Sequence, residues 1–171
     1  LTSIENFGSM NVLCSDKTGT LTEGIVHVKG ALDAAGNPSD KVSRYAYLNS
    51  CFETGFANPI DEAVRGALAF DVGHYRKLAE VPYDFYRKRL SVLVSDSGTE
   101  VLITKGALAN VLAACTQVEN GDGTLADIEE VRESIQQHYE AFSAQGLRTL
   151  GIAYKPLAEK RENVKEEKKD M

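Results

Sequence analysis

Beyond Pro82 the apolar residues fall into a step of two. Leu90, Val92 and Val94 share one face, Asp96-Ser97-Gly98 supplies turn residues, and Glu100 to Thr104 leads back. That spacing fits a strand, and the turn makes the pair an antiparallel hairpin. A lone hairpin is marginal in water, so the rest of the chain must cover it. Helical spacing on both sides provides the cover. Val42, Tyr45, Ala46, Asn49 and Phe52 recur behind a Ser39/Asp40 cap, with Tyr45, Tyr47 and Phe52 read as packing residues. Asn58 can cap a second helix, Pro59 suits its first position, and Ile60, Ala63, Val64, Ala67 and Leu68 form one stripe. Leu108, Val111, Leu112 and Cys115 predict a short third helix. Asp127, with Glu130 as its capping-box partner, opens a fourth that carries Ile128, Val131, Ile135, Tyr139 and Phe142 and stops near Gly146. Leu147 to Tyr154 reads as a further strand, Gly24 to Gly30 as a weakly alternating one, and Ala35-Gly36-Asn37-Pro38 as a turn.

One more segment reads differently. Met10 to Cys14 is a short apolar run that ends abruptly in Ser15-Asp16-Lys17-Thr18-Gly19-Thr20, the pattern of a buried strand opening into a polar loop. In open α/β sheets ligands are met beyond the carboxyl ends of strands, where Asp16 would sit. The expected class is therefore α+β, an antiparallel sheet flanked by helices, preceded by a fragment of an α/β domain. Residues 1–23 would hold that fragment and a hinge, and 24–155 the α+β domain. The charged stretch 156–171 would be a solvated, mobile tail.

Composition narrows the partners. A chain of 171 residues can bury a core as one domain, two at most. A formal net charge of −6 argues against nucleic acid or an anionic membrane as the main partner. No apolar run approaches the ~20 residues of a membrane-spanning helix, and Leu1 to Met10 lacks a signal-peptide pattern. Cys14, Cys51 and Cys115 form no CxxC pair and are expected as reduced thiols. His27, His74 and His138 show no metal-ligand spacing.

The sharpest motif is Asp16-Lys17-Thr18-Gly19-Thr20-Leu21-Thr22. Over these seven consecutive residues the chain resembles the P-type ATPases, whose signature this is. The residue types suit the chemistry. A carboxylate such as Asp16 can attack a γ-phosphoryl group in line and hold it as an acyl phosphate. Lys17, the threonine hydroxyls and Mg²⁺ can balance the transferring charge, with Asp16 and Thr18 as candidate metal ligands, and Gly19 admits close backbone approach. Phosphatases of the related haloacid-dehalogenase class carry an Asp two places on, where this chain has Thr18. Threonine cannot activate water at neutral pH, which suits a pump that stores a phosphoenzyme.

The resemblance extends to a nucleotide pocket, in a chain with no GxxxxGK[ST] P-loop. Lys105-Gly106-Ala107 resembles the lysine-glycine-alanine motif of the P-type nucleotide-binding domain. The stretch Pro82 to Val92 resembles the segment that stacks adenine, which puts Tyr83 at the stacking aromatic with Phe85 as its competitor and Lys88 near the phosphates or ribose. Stacking on an aromatic face is worth about 1–3 kcal/mol per base; core packing is the plainer role for the same two rings. Asp61, in Asn58-Pro59-Ile60-Asp61, matches an acidic residue near adenine, although a first-turn helix charge would explain it without a ligand. Arg148, in Gly146 to Leu150, matches an arginine that reaches phosphates, with a surface salt bridge as its alternative. Arg87 and Arg89 could equally be solvated.

Ile4 to Cys14 looks like the run before the motif in bacterial magnesium-transporting members, departing at Asn11 and Ser15. The resemblance covers roughly Ile4 to Lys155. It implies a cytoplasmic ATP-binding domain of a cation pump of the bacterial inner membrane, with Mg²⁺ import as the favoured activity and ATP and Mg²⁺ as cofactors. Its partners would be the remaining phosphorylation, actuator and transmembrane domains. The chain alone is expected to bind ATP weakly without turning it over, with residues 1–23 poorly packed. The alternatives are another cation-pump subclass, a regulatory module that has lost nucleotide binding, and a phosphoaspartate phosphatase.

Overall fold

The computed structural model describes residues 8, 10–17, 19–55 and 58–157. Among these residues four helices and six strands follow in order: α1 (Asp40–Phe52), α2 (Pro59–Ala67), β1 (Tyr75–Asp84), β2 (Arg89–Asp96), β3 (Thr99–Ala107), α3 (Leu108–Leu112), β4 (Gln117–Glu119), β5 (Leu125–Asp127), α4 (Ile128–Ala144) and β6 (Leu150–Leu157). A four-stranded antiparallel sheet runs β1-β2-β3-β6, and β4 and β5 pair separately. The class is α+β, as expected.

The hairpin is the centre of this sheet. β2 and β3 pair without a slip from Asp96↔Thr99 to Arg89↔Gly106. Ser97 (φ 50°) and Gly98 (φ 95°) both lie at positive φ, the type I′ geometry whose twist matches that of the strands. Leu90, Val92, Val94 and Ile103 on one face bury against Leu48 of α1, with Tyr45 and Phe52 packed beside them. Each fully buried aliphatic side chain contributes about 1.5–3 kcal/mol. Leu93 and Leu102, on the opposite face, are buried too. Tyr45 also stacks on Tyr154 of β6, whose hydroxyl donates to Glu119 of β4.

The N-cap residues are those the sequence indicates, although Asp127 accepts from the Glu129 amide and not from Glu130 as a capping box would. Ser39 accepts from the Val42 amide, Asn58 from Ile60 and Asp127 from Glu129.

Several expectations fail. Gly24 to Gly30 forms no strand and is largely exposed, since no neighbouring strand among the described residues offers its backbone partners. Met10 to Cys14 is likewise exposed, without strand pairing. The last strand starts at Leu150, three residues late, and runs through Pro156; Pro is tolerated there because β6 is an edge strand. α3 stops at Leu112, and Tyr139 of α4 is exposed. β1, β4 and β5 were not foreseen. Residues 158–171, where a mobile tail is expected, lie outside the described residues.

Candidate nucleotide site

Antiparallel order brings four chain segments to one end of the sheet. β1 ends there at Asp84, β2 begins at Arg89, β3 ends at Ala107 and β6 begins at Leu150, with pairings Asp84↔Arg89, Arg89↔Gly106 and Gly106↔Gly151. Tyr83, Phe85, Lys88, Lys105, Gly106 and Arg148 all belong to this end. At about 4.8 Å per strand, the distance from β1 to β6 is roughly 14 Å.

Asp84 builds the loop that carries the aromatics. Its Oδ1 accepts from the Tyr86 and Arg87 amides at 2.9 Å each, and its Oδ2 from Arg87 Nε at 2.9 Å. These bonds, the Arg87 amide first, hold the Asp84 carboxyl below its ordinary range. The turn leaves Phe85 84% and Tyr86 96% exposed, and Tyr83 half-exposed. Tyr83 and Phe85 meet edge to face, ring centroids 5.3 Å apart. Neither is a core residue, so both rings offer a face to solvent. Arg87 is held by Asp84, and Arg89 Nη1 donates to Asn110 O at 2.9 Å, so both arginines serve the scaffold.

Lys88 closes the turn at φ 51°, donating its amide to Asp84 O and accepting from Ala107 N–H at 2.9 Å. Gly106 makes this possible. A Cβ there would stand 2.4 Å from Lys88 O and 2.8 Å from Arg89 Cα. The glycine of the Lys105-Gly106-Ala107 tripeptide therefore serves a close approach of two strands.

Lys105 points inward. Strand alternation puts it on the same face as Val101 and Ile103, under α1, and it is only 5% exposed. Its ammonium binds Asp61 Oδ1, lies 3.3 Å from Ser50 Oγ and stands 3.8 Å from Glu53 Oε2. Asp61 is completely buried, and its Oδ1 also accepts from Ser50 Oγ at 2.6 Å. Arg65 of α2 donates to Ser50 O at 2.5 Å. Burying a charge is tolerable only with such partners. Burial alone would raise the Asp61 pKa, but hydrogen bonds from Glu53, Lys105 and Ser50 outweigh it and leave it lowered. Burial pushes Glu53 up to about 7, helped by its hydrogen bond to Asp61 and only partly opposed by Lys105.

The structure thus joins Asp61 to Lys105, Tyr83 to Phe85, and Lys88 to Gly106, and sets Arg148 exposed just before β6. Ser50, Glu53 and Arg65 were not singled out by sequence; Ser50 and Glu53 sit at the end of α1, where nothing in its periodicity marks them.

Asp16 and Lys17 are exposed. The Lys17 amide donates to Asp16 Oδ1 at 2.7 Å, Leu21 N–H to Lys17 O at 3.1 Å, and Gly19 N–H to Thr22 Oγ1 at 3.3 Å, so the described motif residues are tied to one another locally. Thr18 lies outside the described residues. Among the described residues no three His, Cys, Asp or Glu side chains gather as a metal-holding group. Asp16 offers one carboxylate, which fits a Mg²⁺ ion that draws its other ligands from water and substrate phosphate.

A family model described as P-type ATPase, cytoplasmic domain N, matches residues 60–171. The chain belongs to this family. Among similar curated proteins, the "Magnesium-transporting ATPase, P-type 1" of Salmonella typhimurium (strain LT2) is 40% identical over 164 residues, covering 92% of this chain and 18% of the relative. The protein of the same name from Escherichia coli K12 is 35% identical over the same length and coverage. The "Calcium-transporting ATPase 1" of Lactococcus lactis is 30% identical over 183 residues, covering 93% of this chain and 21% of the relative. The N domain thus spans under a quarter of the length of these relatives. No helix among its described residues is long and apolar enough to cross a membrane.

Proposed function

We propose that this N domain holds ATP for a P-type cation pump, with Mg²⁺ import the favoured activity, and presents the γ-phosphate to Asp16. The observation that carries the reading is the convergence of Tyr83, Phe85, Lys88, Lys105, Gly106 and Arg148 on one sheet end. Exposed rings at the β1 edge suit an adenine face, the exposed Lys88 and Arg148 suit phosphates, and Lys105 supports the pocket from within. Asp61 holds the Lys105 side chain in place inside the fold. Asp16 then acts as nucleophile: its carboxylate oxygen bonds to phosphorus as the bond to the ADP oxygen breaks. Mg²⁺, held by Asp16 and Thr18, would neutralise charge on the transferring group. The 40% identity to a magnesium-transporting ATPase favours that cargo over calcium, which the more distant match carries. The pump would sit in a bacterial inner membrane with this domain in the cytoplasm, linked at residues 1–23 to its phosphorylation domain and assembled with actuator and transmembrane domains.

The test is transport and phosphorylation by the full-length pump in vesicles. γ-Labelled ATP should leave label on Asp16 in wild type and none in Asp16→Asn, with Mg²⁺ uptake lost in the variant. Uptake that continues in Asp16→Asn would sink the proposal. A reading as a module without nucleotide binding draws on the burial of Lys105, and saturable ATP binding removes it.

A further inference from the structure

Asp61 is wholly buried, yet only one of its oxygens has an ordinary donor. Oδ1 accepts from Ser50 Oγ at 2.6 Å and from Lys105 Nζ, whereas no amine, amide or hydroxyl reaches the buried Oδ2. A bare buried acceptor is costly, and native folds supply a partner. The nearest acid is Glu53, itself largely buried, whose Oε2 stands 3.8 Å from the same Lys105 ammonium that Asp61 Oδ1 binds, so the two carboxyls share one buried cation. Two carboxylates form a hydrogen bond only when one proton lies between them. The remaining surroundings of Glu53 are charged but already engaged. Arg65 of α2 is bonded to Ser50 O, and Thr54 beside Glu53 binds Glu80 of β1, which pairs with Lys77.

We propose that Glu53 is a positioning residue for the nucleotide site: its carboxyl donates a hydrogen bond to Asp61 Oδ2, fixes the Asp61–Lys105 pair, and weakens nucleotide binding when its proton is lost. The reason is charge. Ionised Glu53 sets a second carboxylate against Lys105, which draws the ammonium further inward and adds a negative charge near the phosphates. Protonated, it neutralises that repulsion and leaves Lys105 paired with one acid. Buried carboxyls held neutral this way act as donors at neutral pH.

The hydrogen bond and its effect on ligand are read separately, because the second rests on the nucleotide reading above and the first does not. Carboxyl ¹³C shifts of the free 171-residue chain should show Glu53 titrating near neutral pH, moving back towards ordinary glutamate in Asp61→Asn. A Glu53 midpoint in the ordinary range, ~4.3, overturns the proposal. ATP affinity is then measured calorimetrically near pH 6 and near pH 8 for wild type and Glu53→Gln. The glutamine amide donates to Oδ2 at every pH, and the variant also corrects for titration of the nucleotide's own terminal phosphate. Affinities should agree within about twofold near pH 6, with wild type about tenfold weaker than the variant near pH 8. Equal affinities at both values refute the positioning role. If neither chain binds ATP, the nucleotide reading falls with the functional half of the proposal, while the titration still decides the hydrogen bond.

Discussion

Replacing Gly106 with alanine places a methyl carbon 2.4 Å from Lys88 O, 2.6 Å from Arg89 Cβ and 2.8 Å from Arg89 Cα. None of these atoms is the far end of a flexible side chain, so the two strands must part. Overpacking of this kind costs about 1–3 kcal/mol. Separation also breaks the 2.9 Å bond from Ala107 N–H to Lys88 O, worth about 1 kcal/mol. The sum, about 2–4 kcal/mol, is a large part of the stability of a domain this size. With a urea slope of about 1–3 kcal/mol/M, the unfolding midpoint of Gly106→Ala should fall by about 1–2 M. Urea titration followed by circular dichroism measures this. Gly30→Ala is the control, because a Cβ there meets nothing within 4 Å, and surface changes stay within about 0.5 kcal/mol. A Gly106→Ala midpoint as close to wild type as that of Gly30→Ala would refute the close-approach argument.

Other perturbations separate site from scaffold. Tyr83→Ala and Phe85→Ala should each weaken ATP binding by the worth of a stacked base, about 1–3 kcal/mol or roughly 5- to 150-fold, while leaving the urea midpoint unmoved. Unchanged calorimetric affinity in both would exclude them as the adenine face. Asp61→Ala strands the Lys105 ammonium in the interior and should cost about 3–5 kcal/mol in urea unfolding; a loss under ~1 kcal/mol would mean the pair is not buried in solution. Glu53 is an acid whose folded pKa, about 7, lies above its unfolded value. Its contribution is therefore full below the unfolded pKa and is lost as pH rises through neutrality. Stability measured by denaturation from about pH 5 to about pH 8 should carry this decline in wild type and lack it in Glu53→Gln.

What the sequence revealed follows from how local each signal is. The β2–β3 hairpin was legible because period-two spacing and a Ser97-Gly98 turn lie within one short stretch. α2 was legible through Asn58 and Pro59, which cap a helix by themselves. β1 was hidden. Its pairing with β2 is broken by irregularities between Lys77 and Ala79 and between Val81 and Asp84, which scramble the alternation, and Pro82 reads as an interruption. β4 and β5, three residues each, are too short to show a period. The motif residues themselves stood out, but their grouping did not. Asp61 and Lys105 are 44 positions apart, and only the fold of α1 and α2 over β3 brings them into one buried pair with Ser50 and Glu53. The role of Gly106 likewise depends on a strand seventeen residues upstream.

The central claim is that one end of the β1-β2-β3-β6 sheet receives ATP. It is tested most directly by recording amide shifts of the labelled chain as ATP is added. Saturable movement confined to Tyr83–Arg89, Lys105–Ala107 and Arg148–Leu150, and missing with a nucleotide-free polyphosphate at the aromatic residues, is the predicted result. Saturation with no movement at these residues, or movement centred elsewhere on the sheet, would contradict it.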